Sequence, residues 1–160
     1  MGIFNDEWIV GTLITIAGKG AYNRIKEASK NPEKAQMKFL KDIIKANKST
    51  QFGKDHSFDK IKSFEDYKKN VPIRSYLDFE PYLTMMQEGK KDVLFIGKPQ
   101  LYNTSSGTTG KHKLIPISRK FKNYLSKYNK IWLYSILEQN PGIFKGKSIS
   151  SVGKAVEKYA

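Results

Sequence analysis

The chain has 160 residues, within the usual range of one domain, and its 39% hydrophobic and 12% aromatic content is enough to fill a core. It has no cysteine and only two histidines, His56 and His112, which excludes disulfides, thiolate nucleophiles, cysteine-based zinc sites and any multi-histidine metal site. Lys and Arg number 29 against 15 Asp and Glu, a formal net charge of +14, of which residues 1–80 hold +4 and residues 81–160 hold +10.

Between Asp6 and Lys30 the residues Trp8, Ile9, Leu13, Ile16, Ala17 and Ile25 recur at helical spacing, predicting a helix with that face buried. Gly18 and Gly20 weaken its middle by about 1 kcal/mol each relative to Ala, so a kink or break is expected there. The apolar run from Trp8 to Ala17 follows Asp6 and Glu7 instead of basic residues and is too short to span a bilayer. It reads as a helix face, not a signal peptide or an anchor, and the expected compartment is the cytoplasm. Asn31-Pro32 opens a second helix to about Ala46, with Met37, Leu40 and Ile44 as its stripe and Phe39 and Ile43 beside it. Ser49 to His56 reads as a polar loop. Ser63 with Asp66, and Ser75 with Asp78, have capping-box spacing and predict short helices near 64–69 and 76–87, separated by an extended Val71-Pro72-Ile73.

The pattern changes after Gly89. Val93-Leu94-Phe95-Ile96 predicts a strand, Leu101 to Thr104 a second, and Leu114 to Ile117 a third in which Pro116 demands an edge or irregular position. Ser118 caps a long helix to about Glu138, with Phe121, Tyr124, Leu125, Tyr128, Ile131, Trp132 and Leu137 on or near one face. Asn140-Pro141-Gly142 ends it, and Lys147 to Val152 predicts a further strand. The fold class expected is α/β: a helical segment over residues 1–89, then strand, loop, strand, helix and strand over 90–160, an incomplete domain whose sheet has only begun.

Thr104-Ser105-Ser106-Gly107-Thr108-Thr109-Gly110-Lys111-His112-Lys113 carries the chemistry. Glycines let main-chain N–H groups approach an anion, the hydroxyls of Ser105, Ser106, Thr108 and Thr109 donate to phosphate oxygens, and Lys113 adds a mobile charge. A Ser/Thr/Gly-rich turn is also an ordinary flexible loop; the lysines and the strand on each side favour a polyphosphate grip. The P-loop pattern fails, because two residues and not four separate Gly107 from Gly110, and His112 stands where a Ser or Thr should follow the lysine.

Ser105-Ser106-Gly107-Thr108-Thr109-Gly110-x-x-Lys113 resembles the first signature of the acyl-adenylate-forming superfamily. Ser49-Thr50-Gln51-Phe52-Gly53-Lys54, Ser63-Phe64-Glu65-Asp66-Tyr67 through Val71-Pro72-Ile73, and Tyr82 to Gly89 resemble the Gretchen Hagen type of acyl acid amido synthetase, the auxin-responsive family, over residues 35 to 118. The resemblance implies an adenylate-forming-enzyme-like sheet and a ligase that joins a carboxylate and ATP into an acyl-adenylate, then passes the acyl group to an amine, typically of an amino acid. It implies that Ser105, Ser106, Gly107, Thr108, Thr109, Gly110 and Lys113 bind ATP, with Lys113 catalytic and Mg2+ assisting. Members of that family are several-fold longer. Residues 1–160 therefore correspond to the N-terminal part of a large adenylation domain without the C-terminal domain, a fragment expected to be inactive alone.

Two other classes stand beside this one. A basic nucleic-acid-binding module draws support from the +14 charge and the Lys/Tyr mixture from Arg119 to Lys130, but no nucleic-acid motif of defined spacing is present. A non-catalytic remnant is the third. The excess charge also fits a lysine-rich solvated surface or one that an acidic region covers. Lys111 is either an aid to Lys113 or a bystander, His112 reads as an exposed loop residue, and His56 as structural. Tyr124, Tyr128, Trp132 and Tyr134 read as core packing ahead of an acyl pocket, no carboxylate pair forms a dyad, and no metal-ligand set is identifiable.

Overall fold

The computed structural model describes residues 6–105, 113–143 and Ile149, with side chains from Gly11 onward. Among the described residues, six α-helices and one two-stranded antiparallel sheet follow in the order α1 (Asp6–Ala28), α2 (Pro32–Asn47), α3 (Gln51–Asp55), α4 (Phe64–Asn70), α5 (Glu80–Gln87), β1 (Leu101–Thr104), β2 (Leu114–Ile117) and α6 (Arg119–Gln139), with 3-10 turns at Phe58–Lys60 and Leu77–Phe79. This mostly helical chain with a small sheet is what part of an α/β domain contains. The predicted strand at 147–152 lies, apart from Ile149, outside the described residues. No helix among the described residues is long and apolar enough to cross a membrane.

The chain divides into two compact units, Met1–Arg24 with Lys127–Ala160, and Ile25–Ser126. In the first, α1 and α6 run antiparallel: Gly11 faces Leu137, Gly18 faces Lys130 and Tyr134, and the rings of Tyr22 and Tyr134 meet at 5.3 Å. The seam is made of small residues, with Gly18 and Ala21 buried. This corrects the expected face of α1. Leu13 and Ile16 are 61% and 75% exposed, Ala17 and Ile25 are exposed too, and no break occurs at Gly18 or Gly20. Glycine at position 18 is what lets the two backbones close; a Cβ there would lie 2.5 Å from Tyr134 Cβ and 2.7 Å from Lys130 O. The apolar periodicity of α1 offers two faces, and close approach selects the small one. On α6 the same selection buries Tyr134 and half-buries Ile131 and Leu137, while Tyr128 and Trp132 are exposed and do not serve as core.

The second unit holds the core: Tyr82, Met86 and Val93, with Phe52, Phe79, Met85, Leu94, Phe95 and Tyr102 packed against them. The start of α2 is as expected, with Asn31 accepting from Lys34 N at 3.1 Å and Pro32 in the first turn. Its stripe is also in place: Ile44 is buried, Met37, Leu40 and Ile43 are half-buried, and Phe39 meets Tyr124 edge-on at 5.5 Å. Ser63 and Asp66 form the full capping box of α4. The segment Ser49 to His56, expected as a loop, contains α3. Its first N–H groups are all taken: Gln51 N donates to Asp92 O (2.8 Å), Phe52 N to Val93 O (3.0 Å) and Gly53 N to Thr50 Oγ1 (3.0 Å).

Those bonds explain why Val93–Ile96 is not the expected strand. The carbonyls of Asp92 and Val93 cap a helix start, Ile96 N donates to Asn47 Oδ1 (3.2 Å), and Asp92 closes the segment by pairing with Gly97 through Asp92 N to Gly97 O (3.1 Å) and Gly97 N to Asp92 Oδ1 (2.6 Å). Asp92 and Gly97 both take positive φ, 57° and 87°, to make the turn. A four-residue apolar run does not specify where its main-chain partners come from. Here they come from α2 and α3, and Val93 is fully buried as a result.

Candidate phosphate-binding hairpin

β1 and β2 pair antiparallel with Leu101 opposite Ile117, Tyr102 opposite Pro116, Asn103 opposite Ile115 and Thr104 opposite Leu114. The hairpin closes one step further on, where Ser105 N donates to Lys113 O (3.0 Å) and Lys113 N donates to Ser105 Oγ (3.2 Å). The serine near the start of the predicted loop and the lysine at its end are thus brought face to face. Ser106, Gly107, Thr108, Thr109 and Gly110, with Lys111 and His112, lie between them and outside the described residues.

Lys113 is exposed, and none of the ion pairs among the described residues involves it. Its ammonium instead sits 5.6 Å from the centroid of the Tyr76 ring, within cation–π range. The Tyr76 hydroxyl accepts from Leu114 N at 2.9 Å and lies 3.4 Å from Leu114 O. Sequence reasoning did not single out Tyr76, whose partners stand 38 residues away; the only local signal was its place directly after the capping serine. The turn that carries it is fixed by Asp78, whose Oδ2 accepts from Ser75 N (2.7 Å) and Ser75 Oγ (2.8 Å). Those bonds, the hydroxyl first, hold the Asp78 carboxyl below its ordinary range. This is half of the expected capping box: the carboxylate reaches back, while the serine hydroxyl donates to it and does not cap the helix. A 3-10 turn therefore precedes α5.

Beneath the hairpin, Tyr102 packs against the core cluster, and burial pushes its phenol up. Tyr82 donates its hydroxyl to Asp55 Oδ2 at 2.7 Å; burial first, and then Asp55, push its pKa up to about 12. His56 is structural, as expected: it is buried, its Nδ1 donates to Phe52 O (2.8 Å), and its ring stacks on Phe52 at 4.0 Å. The motif stretch Thr50-Gln51-Phe52-Gly53 is likewise internal. Thr50 is fully buried, donates to Asn47 O (2.7 Å) and accepts from Gly53 N, and a Cβ at Gly53 would fall 2.1 Å from Asn47 O.

Among the described residues, the hairpin's closing pair thus carries an ammonium without a carboxylate partner, and the sequence between Ser105 and Lys113 is rich in glycine and hydroxyls. No group of three or more His, Asp or Glu among the described residues is placed to hold a metal ion. A cleft of about 730 Å³ with Met37, Leu40, Phe64 and Tyr67 in its wall includes none of the described hairpin residues.

A family model described as the GH3 family N-terminal domain matches residues 21–159. Among similar proteins, the 4-substituted benzoates-glutamate ligase GH3.12 of Arabidopsis thaliana is 30% identical over 128 residues, covering 79% of this chain and 22% of the ligase. Indole-3-acetic acid-amido synthetase GH3.2 of the same plant is 29% identical over 132 residues, 78% of this chain and 23% of its own length. Jasmonoyl--L-amino acid synthetase JAR6 of Nicotiana attenuata is 30% identical over 95 residues, 58% of this chain and 16% of its own. The chain thus spans about a fifth of the length of the two Arabidopsis relatives.

Proposed function

The chain belongs to the GH3 family through that family's N-terminal domain, and from this premise we propose that it forms the phosphate-binding wall of an ATP-dependent acyl acid amido synthetase. In this reading residues 1–160 are the N-terminal part of a large, adenylate-forming-enzyme-like domain, with 1–89 its helical segment and 90–160 the opening of its sheet. In the first step a carboxylate oxygen of a small acid attacks the α-phosphorus of ATP. The bond from that phosphorus to the bridging oxygen breaks, and its electron pair leaves on pyrophosphate. In the second step an amino acid's nitrogen attacks the acyl carbon of the adenylate. AMP departs with the electron pair of the broken carbon–oxygen bond, and the nitrogen's proton passes to solvent.

The work of this chain lies in the first step. Main-chain N–H groups and hydroxyls of Ser105, Ser106, Gly107, Thr108, Thr109 and Gly110 hold the β- and γ-phosphates. Lys113, the catalytic member, places its ammonium where negative charge gathers as pyrophosphate departs. Mg2+ would add positive charge there, carried by the phosphates. In this reading residues 1–160 contribute the phosphate-binding part of the site.

The observation that supports this most is the Ser105–Lys113 pair, which joins the first serine of the signature to its lysine and leaves the ammonium without a carboxylate partner among the described residues. ATP–pyrophosphate exchange with a panel of carboxylic acids, run on this chain and on any longer product of its gene, tests the reading. Exchange is expected in the longer product, falling about 10²–10³-fold in Lys113→Ala, as for loss of other oxyanion-stabilising groups. No exchange with any acid, together with unchanged ATP affinity in Lys113→Ala, would overturn it.

A further inference from the structure

The register of the hairpin says which main-chain groups of β2 need a partner. Ser105 N donates a ladder bond to Lys113 O, so Thr104 and Leu114, one step down, are a pair whose N–H and C=O groups turn away from each other. On β2 the outward-turned residues are therefore Leu114 and Pro116. Pro116 has no N–H to satisfy. Leu114 does, and the Tyr76 hydroxyl accepts it at 2.9 Å while lying 3.4 Å from the Leu114 carbonyl. One phenol closes the free edge of the strand at the residue next to Lys113. The ring of the same phenol lies under the Lys113 ammonium at 5.6 Å, and its own turn is pinned by the Ser75–Asp78 bonds.

We propose that Tyr76 is the positioning residue of the phosphate-binding hairpin: its hydroxyl fixes the exit strand, and its ring face holds the Lys113 ammonium for a polyphosphate anion. This rests on the reading of the hairpin as the phosphate wall. The two parts of the side chain separate cleanly. Tyr76→Phe removes the hydroxyl and keeps the ring; Tyr76→Leu removes both.

The test uses this chain with inorganic tripolyphosphate as the probe, followed by calorimetry and by NMR of the Leu114 amide and the Lys113 ε-methylene. In the wild-type chain the ε-methylene is shifted upfield by the ring, and the Leu114 amide exchanges slowly. Tyr76→Phe is expected to keep the upfield shift but lose amide protection. Tyr76→Leu loses both, and weakens tripolyphosphate about two- to fivefold, the measure of an exposed cation–π contact. A merely structural tyrosine would not split Phe from Leu in this way. An unshifted ε-methylene and an unprotected Leu114 amide in the wild-type chain would overturn the proposal. So would tripolyphosphate affinity equal to wild type in Tyr76→Leu when Lys113→Ala abolishes binding. If the wild-type chain binds no tripolyphosphate, the phosphate reading fails and the role toward an anion falls with it, while the NMR signals still report whether Tyr76 holds Lys113.

Discussion

Two glycines in α1, two residues apart, should respond to the same substitution with opposite sign. In an isolated helix Gly→Ala stabilises by about 1 kcal/mol at either position. At Gly20 a new Cβ meets nothing closer than the far end of Arg24, 3.9 Å away, so the helical gain is kept. At Gly18 it would lie 2.5 Å from Tyr134 Cβ and 2.7 Å from Lys130 O, atoms of α6 that no rotamer change can move. Carbon atoms rest about 3.5–4.0 Å apart, so α1 and α6 must separate by roughly 1 Å along a buried seam. Overpacking of this kind costs about 1–3 kcal/mol, which offsets the helical gain of about 1 kcal/mol and leaves a net loss of up to about 2 kcal/mol. For a chain of this length each kcal/mol moves Tm by about 2–4 °C. Thermal unfolding followed by circular dichroism should then place Gly18→Ala up to about 8 °C below wild type and Gly20→Ala about 2–4 °C above it. A Gly18→Ala protein as stable as Gly20→Ala would refute the close approach of the two helices.

Tyr82 predicts an alkaline limit. Its pKa is raised from 10.0 to about 12 in the fold, so the unfolded chain loses the phenolic proton first. The associated stability is complete below pH 10 and drains away as pH rises to about 12, by on the order of 2 kcal/mol. Urea midpoints between pH 9 and 12 should fall in wild type and stay flatter in Tyr82→Phe. Thr50→Val keeps the volume but strands the buried Gly53 N–H, and should cost about 1–3 kcal/mol in urea unfolding, while Thr50→Ser retains most of the wild-type stability. Asp66 and Asp78 have carboxyls held below their usual values by hydrogen bonds, Asp66 first by Lys62 N–H and Asp78 first by the Ser75 hydroxyl. Their contribution is present above the ordinary carboxylate pKa and is lost as pH falls through the lowered ones. The hydrogen-exchange protection factors of the Lys62 and Ser63 amides, which donate to Asp66 Oδ2, should accordingly fall below about pH 4, the ordinary Asp value, and in Asp66→Asn already at neutral pH.

What the sequence made legible was local. Asn31-Pro32, Ser63 with Asp66, and Ser118, whose Oγ accepts from Phe121 N at 3.0 Å, mark helix starts because a cap needs only residues three apart. The Met37, Leu40 and Ile44 stripe was legible because α2 has one apolar face. α1 has apolar residues nearly all round, so spacing could not say that Gly18 and Ala21, and not Leu13 and Ile16, would face a partner. Val93–Ile96 failed for a related reason: its backbone partners, Asn47, Gln51 and Phe52, are more than forty residues away, and strand propensity carries no information about them. Ser105 and Lys113 were legible as ends of a motif, while Tyr76, which touches Lys113 and Leu114, was not.

The motif stretches ahead of the loop take on a physical sense from where their atoms go. Fixed donors stabilise developing charge only if they do not have to reorganise when it appears, so the proposed phosphate role calls for a rigid base to the hairpin. Thr50-Gln51-Phe52-Gly53 spends its polar groups on tying α2, α3 and the 92–97 turn together, and Phe52 stacks on Phe79 and meets Tyr82 edge-on in the core. Phe79 ends the short turn that begins beside Tyr76, and Tyr102 of β1 packs on the same cluster. The hairpin is thereby gripped twice, through Tyr102 from the core and through Tyr76 at its outer edge. Either grip alone would leave β2 free to pivot about the other; together they set the position of Lys113 N and the direction of its side chain. A residue that only filled space at 76 would not need a hydroxyl placed 2.9 Å from Leu114 N, nor a ring under the one lysine that the signature requires.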